Sequence, residues 1–364
     1  MIILDCLIDI ITIISIKKKG AFQNSRRRKM DVKEKLYQKN LSMAKKGLLW
    51  GLMGGLLYGI SPMFQTLGMG TEPLSSGAVL GLCAIPMIVG CLQDFSSGIW
   101  VLIPNLKNGK GREYIRSVKT KPGRFILLAS FFGGLIAMAG FTLGVYFAGP
   151  VYPVAISATF PAIGAVLSRI FLKEKISGRG WCGILLCVAG AITVSWAPPS
   201  GDTYPNFYLG IACAVLASVG WSLEGIISCA GMDFVDPEIA LGIRQFASGT
   251  MFLFVLPFVA SGVNLKAFGL LFSTLPTMAF VFIAIAGFGA GIGYFYYYKC
   301  NNVCGASRGM SLNIIYTLVS AVLSVVFLGS AITATFIIGI IVLLSGAVMV
   351  VGKPSELLSL RDIR

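Results

Sequence analysis

The sequence has no histidine among its 364 residues, and only 12% of them are charged. Without histidine the chain cannot build a Ser-His-Asp triad, a histidine metal site or the commonest side-chain proton shuttle. A soluble domain has about 25% charged residues, so a content half as large favours lipid as the solvent. The nine cysteines include no CxxC pair, and we predict neither a metal nor a cofactor.

Apolar residues dominate the sequence instead. They make up 56% of the chain, and the mean hydropathy is +0.82. Stretches of about 20 apolar residues recur, each long enough to cross a hydrocarbon core of ~30 Å as a helix. The 44 glycines are typical of helices that pack closely in lipid. We therefore predict an all-α membrane protein with about ten transmembrane helices, at 47–68, 76–97, 125–148, 150–172, 181–198, 207–230, 238–260, 272–298, 305–328 and 331–351.

Positive charge is concentrated in the connections between the predicted spans. The net charge is +15, and lysine and arginine cluster in 105–124, in 173–180 and in the C-terminal tail, whereas 69–75 and 199–206 contain neither. Because cytoplasmic loops are enriched in these residues, we predict a plasma (inner) membrane protein with both termini cytoplasmic. Lys266 is the exception on the opposite side. We interpret the excess charge as a topology signal rather than as a nucleic-acid interface.

The first 46 residues fit this pattern poorly. Residues 1–16 are apolar but too few to form a full span, and basic triplets follow them. The segment is interpreted as an interfacial or signal-like stretch, or as an eleventh span. A third interpretation is a start codon placed too early, with Met30 or Met43 as the true first residue.

An internal repeat is the most informative pattern. Residues 133–194 recur without a gap 156 positions later, so that Gly133 corresponds to Gly289 and Gly190 to Gly346. A duplicated half in a chain this apolar is typical of secondary transporters. Each half holds an odd number of predicted spans, so the two halves must insert in opposite orientations. The predicted units are a basic N-terminal segment (1–46), a first five-helix repeat (47–198), a second five-helix repeat (207–351) and a cytoplasmic tail (352–364).

A family pattern accompanies the repeat. It consists of Pro161 in the fourth predicted span, small residues after it, a Leu-x-Glu motif ending at Glu174, and a fifth span with several glycines. This pattern resembles the EamA family of the drug/metabolite transporter superfamily, and the resemblance covers about 47–351. In the second copy, Thr317 replaces the proline and Ser330 replaces the glutamate. The resemblance implies two five-helix repeats that move amino acids, amines, sugars, nucleotide sugars or drugs.

Two ionisable residues lie inside predicted spans of the second half. At a rise of about 1.5 Å per residue, Glu224 lies ~12 Å deep in the sixth span and Arg244 ~9 Å deep in the next, antiparallel one. We therefore expect an ion pair, which is either a structural salt bridge or part of a substrate or coupling-ion site. The corresponding first-half residues, Ser61 and Cys83, are uncharged. The charge of any substrate site is thus expected to come from the second repeat.

Other candidate residues lie near the same depth. Arg308 begins the ninth span, and its side chain is expected to extend to the cytoplasmic surface or to meet an anionic substrate. The Asn313 amide is expected to bind a neighbouring helix or the substrate. Tyr58 and Trp221 occupy equivalent places in the two halves and either stack on a substrate or fill the core. The predicted site comprises Tyr58, Trp221, Glu224, Arg244, Tyr294, Arg308, Asn313 and Tyr316.

These patterns predict a secondary transporter, a permease or an exporter, that moves a small organic solute such as an amino acid, amine, sugar or drug by alternating access. The sequence has no nucleotide-binding motif, so a proton or another cation is the candidate coupling partner. The expected ion pair favours the ionised form of Glu224 and works against proton binding there. The other predicted partners are membrane lipids, with no nucleic acid, and we expect a monomer. The alternatives are a non-transporting membrane sensor or scaffold and a membrane-embedded lipid-modifying enzyme. The lack of histidine disfavours the enzyme.

Overall fold

The computed structural model describes residues 34–76, 83–171, 177–196, 204–259, 265–329 and 332–350. In these ranges the chain is helical and forms no strand. The apolar start of the N-terminal segment, the Leu-x-Glu motif at Glu174, Ser330 and the predicted tail at 352–364 lie outside the described residues.

The helices follow one another along the whole described chain, and one of them contains a π-helical turn. They are α1 (34–58), α2 (Ser61–Met69), α3 (Ala84–Lys107), α4 (Gly111–Val118), α5 (Lys121–Ala129), the π-helical turn (Ser130–Ile136), α6 (Ala137–Ala148), α7 (Val151–Ser157), α8 (Phe160–Phe171), α9 (Gly178–Trp196), α10 (Phe207–Gly231), α11 (Pro237–Val259), α12 (Lys266–Thr274), α13 (Met278–Cys304), α14 (Ala306–Asn313), α15 (Tyr316–Leu328) and α16 (Ala334–Val350).

Among the described residues, 7 helices are long and apolar enough to cross a membrane. Three shorter apolar helices, at Val151–Leu167, Gly178–Val194 and Ala334–Met349, overlap the remaining predicted spans. The chain is therefore a helical, multi-pass membrane protein. The helix-rich class predicted from the sequence is confirmed, while the count of ten transmembrane helices stays a prediction.

Several boundaries differ from the prediction. Helix α1 begins at residue 34 rather than 47. The span predicted at 272–298 is instead helix α13 at Met278–Cys304, and a separate helix, α12, precedes it at Lys266–Thr274. Helix α3 continues to Lys107, ten residues past the predicted end at 97. The reason is that its polar residues are buried against α13, where the Ser97 hydroxyl donates to the Gly287 carbonyl at 2.9 Å. The polar stretch therefore lies within the helix and does not end it.

Helices α9 and α16, the last helix of each half, cross at glycines. A methyl group added at Gly190 would lie 2.7 Å from the carbonyl oxygen of Gly339, and one added at Gly346 would lie 2.6 Å from the carbonyl oxygen of Gly183. The repeat makes Gly183 equivalent to Gly339 and Gly190 equivalent to Gly346. Each contact is thus the image of the other when the halves are exchanged, as a two-fold interface requires.

Cys187 and Leu343 mark the centre of this crossing. The Cys187 thiol donates to the Leu343 carbonyl at 3.5 Å, and the two residues are 156 positions apart. Equivalent positions can touch each other only where a two-fold axis passes between them. The sequence repeat is therefore also a geometric one.

Helix breaks occur at equivalent places in the two halves. The chain leaves the helix at 158–159, between α7 and α8, and again at 314–315, between α14 and α15. Pro161 follows the first break and, having no N–H, cannot continue the helical ladder. Thr317 occupies the same place after the second break, where its hydroxyl donates to the Ile314 carbonyl at 2.8 Å. A side-chain hydrogen bond thus accompanies the break that has no proline.

A group of charged residues joins three helices where α3 ends. We call Lys110, Asp236, Glu238 and Lys299 the Lys110 cluster. Lys110 Nζ lies 2.9 Å from Asp236 and 3.0 Å from Glu238, and Lys299 Nζ lies 2.7 Å from the other Glu238 oxygen. The cluster ties the α3–α4 connection to the start of α11 and to α13.

The Lys110→Gln variant tests how much this cluster stabilises the fold. Burial lowers the pKa of Lys110, but hydrogen bonds to Asp236 and Glu238 outweigh it and raise the pKa above the ordinary 10.5. The pairing therefore stabilises the protein below pH 10.5 and is lost as the pH rises through the raised value. We expect Lys110→Gln to lower the free energy of unfolding by under about 1 kcal/mol near neutral pH.

The measurement is thermal unfolding of the purified protein at low and high salt. The loss should shrink in concentrated salt, because partly exposed ion pairs are screened. The exposed Lys107 supplies the matched Lys107→Gln control. An equal loss in both variants, or a loss that does not change with salt, would contradict the assignment.

Candidate functional site

A small chamber lies where the two halves meet. We call it the aromatic chamber, and its walls are the side chains of Tyr58, Phe160, Trp221, Glu224, Tyr294, Tyr297, Asn313 and Tyr316. Its free space is about 10 Å³, close to the least that one water molecule needs. Glu224 contributes the one carboxylate in this wall, and aromatic rings make up most of the rest.

The chamber residues come from both halves and lie beside the helix breaks. Tyr58 is the last residue of α1 before the turn that leads into α2, and Phe160 opens α8. Asn313 ends α14 and Tyr316 opens α15, on the two sides of the second equivalent break. In secondary transporters, substrate sites form at such discontinuous helices between repeats.

The two-fold axis that relates the halves also passes close to the chamber. Tyr58 and Trp221 are equivalent under the 163-residue offset that relates the front parts of the halves. Their rings meet edge to face with centroids 6.2 Å apart. Equivalent residues in contact place this pair close to the axis, as at the crossing of α9 and α16.

Glu224 and Arg244 form the buried ion pair expected from their depths. Arg244 Nε donates to Glu224 Oε1 at 3.0 Å, and the Tyr298 hydroxyl donates to the same oxygen at 2.6 Å. Arg244 is 0% exposed and Glu224 2%. The guanidinium carbon also lies 5.0 Å from the centre of the Tyr294 ring. The pair thus connects the wall of the chamber to α11 and α13.

A second carboxylate, Asp94 on α3, shares the same guanidinium. Arg244 Nη1 donates to Asp94 Oδ1 at 3.4 Å, and the Ser248 hydroxyl donates to the other Asp94 oxygen. Asp94 is 2% exposed. We call Asp94, Glu224 and Arg244 the buried charge triad. The buried charge therefore comes from both repeats, because Asp94 belongs to the first, and the source of a substrate site's charge stays a prediction.

The π-helical turn completes the arginine's set of acceptors. Nη2 of Arg244 donates to the backbone carbonyl of Gly133 at 2.7 Å, and Nη1 donates to the Gln245 side chain. A π-helical turn alters the regular backbone bonding and is frequent at functional sites. Gly133 is also small enough for Glu224 to lie directly against its backbone. This third-span glycine therefore positions both members of the ion pair.

The structure brings together seven of the eight predicted site residues. Six line the aromatic chamber, and Arg244 contacts it through Glu224 and Tyr294. Arg308, half-buried in the first turn of α14, is not among the lining residues. Sequence reasoning missed Asp94, Phe160, Tyr297 and Tyr298. The signal for Asp94 was present, namely a carboxylate inside an apolar stretch, but ending the span at 97 made it look like a boundary residue.

A much larger cavity lies elsewhere and differs in chemistry. It measures about 840 Å³ and is lined mainly by aliphatic side chains of α7, α8, α9 and α10, with no charged residue among the described residues that line it. Tyr208 at its edge is 64% exposed. Such a groove on the outer face of a membrane protein is suited to lipid chains. The two cavities therefore differ in chemistry as well as in size, and the buried charges lie beside the smaller one.

Comparison with known proteins agrees with this architecture. The model of the EamA-like transporter family matches the chain twice, at residues 45–196 and 208–352. YetK, an uncharacterized transporter of Bacillus subtilis (strain 168), is 31% identical over 142 residues, which cover 38% of this chain and 42% of that protein. Protein LicB of Haemophilus influenzae (strain ATCC 51907 / DSM 11121 / KW20 / Rd) is 24% identical over 272 residues, which cover 75% of this chain and 86% of LicB.

A solved protein crystal structure has the same general fold. It superposes with a TM-score of 0.56 at 16% sequence identity, and the match covers 84% of this chain and 96% of the other. At this identity the likeness shows the fold alone. The two matches to the family model together span most of the sequence. The chain therefore belongs to the EamA-like transporter family, whose members are membrane transporters of the drug/metabolite transporter type.

Proposed function

We propose that the protein is a secondary transporter that moves a small organic solute across the plasma (inner) membrane by alternating access. The aromatic chamber is the substrate site. The observation that carries the proposal is the place of this chamber. It lies between two equivalent halves, next to their equivalent helix breaks, and contains a buried carboxylate.

The closed form of the chamber supports alternating access. Its free space of about 10 Å³ is too small for an organic solute, so the surrounding helices must separate to admit one. Several of these helices meet through glycines, as where Gly293 lies against the backbone of Gly54 and Tyr58. Interfaces with few interlocking side chains can shift without breaking many contacts. The chamber thus corresponds to an occluded state between two open ones.

The proposed topology has ten transmembrane helices in two inverted repeats, with both termini cytoplasmic. The symmetric glycine crossing of α9 and α16 supports the two-fold relation, and the odd number of spans per half supports the inversion. The basic residues near the α3–α4 connection support a cytoplasmic location for the Lys110 cluster. In this arrangement the chamber lies near the middle of the membrane.

The Glu224→Gln variant tests this function. Glutamine keeps the size and one acceptor oxygen but removes the charge that faces the chamber and Arg244. A hydrogen bond to a charged group contributes about 1.5–3 kcal/mol, so we expect transport to fall at least about tenfold. A thermal-shift screen over amines, amino acids, sugars and nucleotides identifies a solute, and uptake into proteoliposomes then measures the rate at several pH values.

Glu238→Gln is the matched control, because Glu238 belongs to the Lys110 cluster and lies outside the chamber wall. It should transport at the wild-type rate. Unchanged transport and unchanged pH dependence in Glu224→Gln would remove Glu224 from the mechanism. Folded wild-type protein that moves none of the solutes would contradict the proposed function itself.

A further inference from the structure

We propose that the solute bound in the aromatic chamber is an organic ammonium cation. This inference rests on the proposed function and specifies its substrate class. Three separate observations lead to it: the charge balance of the buried charge triad, the aromatic wall, and three polar atoms in that wall that have no protein partner.

The charge balance favours a cation. The buried charge triad contains two carboxylates and one guanidinium, which leaves a surplus of one negative charge in their ionised forms. All three side chains are buried, where an uncompensated charge is costly. A cationic solute next to Glu224 offsets the surplus, whereas an anionic solute adds a second negative charge. The triad therefore selects against anions on electrostatic grounds.

The aromatic wall fits a cation as well. The ring of Tyr58 lies at the centre of the cluster, with centroids 5.3 Å from Tyr294, 5.2 Å from Tyr316 and 6.2 Å from Trp221. All three contacts are edge to face, so the rings present both faces and edges toward one another. Ring faces carry negative potential and attract ammonium groups, and cages of this composition bind alkylated ammonium ions. The Arg244 guanidinium over Tyr294 shows the same attraction inside the protein.

Three buried polar atoms in this wall have no protein partner. Among the described residues, Tyr58 Oη, Trp221 Nε1 and Asn313 Oδ1 have no hydrogen-bond partner, although the side chains are only 4%, 6% and 7% exposed. Buried polar groups are normally paired. The indole N–H is a donor, the amide oxygen an acceptor and the phenol oxygen can be either, so an ammonium N–H can donate to Asn313 or Tyr58, and a hydroxyl oxygen on the solute can accept from Trp221.

A series of probes that share one shape isolates the charge. tert-Butylammonium, tert-butanol and pivalate carry the same tert-butyl group with positive, zero and negative charge, and tetramethylammonium is a quaternary relative. Binding of each to the purified full-length protein is measured by isothermal titration calorimetry, and uptake is measured in proteoliposomes. We expect both cations to bind at least about tenfold more tightly than tert-butanol, and pivalate not to bind.

Variants of Trp221 test the contribution of the rings. Trp221→Phe keeps a ring face and should weaken cation binding only a few-fold, whereas Trp221→Leu removes it and should weaken binding about tenfold. Tyr208→Leu, on the exposed outer groove, is the control and should bind as the wild type does. Equal losses in the Phe and Leu variants would overturn the role of the rings.

The outcomes separate this inference from the proposed function. Binding of tert-butanol equal to that of the cations, preferred binding of pivalate, or no binding of any probe by folded protein overturns the cation assignment. Transport of another class of solute that depends on Glu224 would leave the transporter standing with a different substrate. Absence of all transport contradicts both.

Discussion

Arg244→Met is expected to destabilise the protein by about 3–5 kcal/mol, because it leaves two buried carboxylates without their shared cation. The arginine donates to Glu224, Asp94, Gln245 and the Gly133 carbonyl, and is itself 0% exposed. Methionine fills similar space but offers none of these donors. Thermal unfolding of the purified protein, followed by intrinsic fluorescence, measures the loss.

Neutralising the carboxylates should reverse much of this loss. The triple variant Asp94→Asn/Glu224→Gln/Arg244→Met contains no buried charge in the triad and should be more stable than Arg244→Met alone, since removing a whole ion group is often neutral. The exposed Arg112 supplies a matched Arg112→Met control, expected to change stability by less than about 0.5 kcal/mol. An Arg244→Met protein as stable as the Arg112→Met control would show that the triad does not hold the helices together.

Gly190→Leu is expected to cost at least about 3 kcal/mol, at the upper end of overpacking penalties. The new side chain would meet the backbone of Gly339 and Leu343 on α16 rather than a flexible side chain, so α9 and α16 would have to separate. The two-fold relation adds a second expectation, namely that Gly346→Leu has a similar effect through its contact with Gly183 and Cys187.

Gly178→Leu is the control for this pair, because an added carbon at Gly178 meets nothing within 4 Å. The measurement is the yield of monodisperse protein together with its unfolding temperature. A stable Gly190→Leu protein would mean that α9 and α16 are not closely packed at these glycines. A large effect at Gly190 with none at Gly346 would contradict the symmetric packing.

The sequence predicted the parts of the site that depend on regular helix geometry. Glu224 and Arg244 lie well inside continuous helices, so a fixed rise per residue placed them at matching depths, and their ion pair is confirmed. The repeat likewise made Tyr58 and Trp221 equivalent positions of the two halves, and in the structure their rings are in contact. In both cases local geometry is uniform enough for counting residues to give a position in space.

Other parts depended on tertiary contacts that no local pattern encodes. The predicted span ended shortly after Asp94, because the partners of this residue, Arg244 and Ser248, lie 150 and 154 residues away in the sequence. The π-helical turn at Gly133 has no sequence signature comparable to a proline. The break after Asn313 was also hidden, since Thr317 has ordinary helix-forming chemistry. Packing against neighbouring helices, rather than the residues of the segment itself, determined the extension of α3, the π-helical turn and the second helix break.

The two equivalent helix breaks differ in what their covalent structure permits. Pro161 has no amide hydrogen, so the first repeat can never form the continuous ladder through this position. Thr317 has one, which now donates to the Ile314 carbonyl at 3.0 Å, and its backbone could rejoin α14 and α15 into a single helix. Straightening therefore costs the first half a backbone hydrogen bond that the second half can keep. If the two halves exchange conformations during transport, the two opposite conformational changes are therefore not equivalent. The two end states of the cycle then differ in free energy and in population.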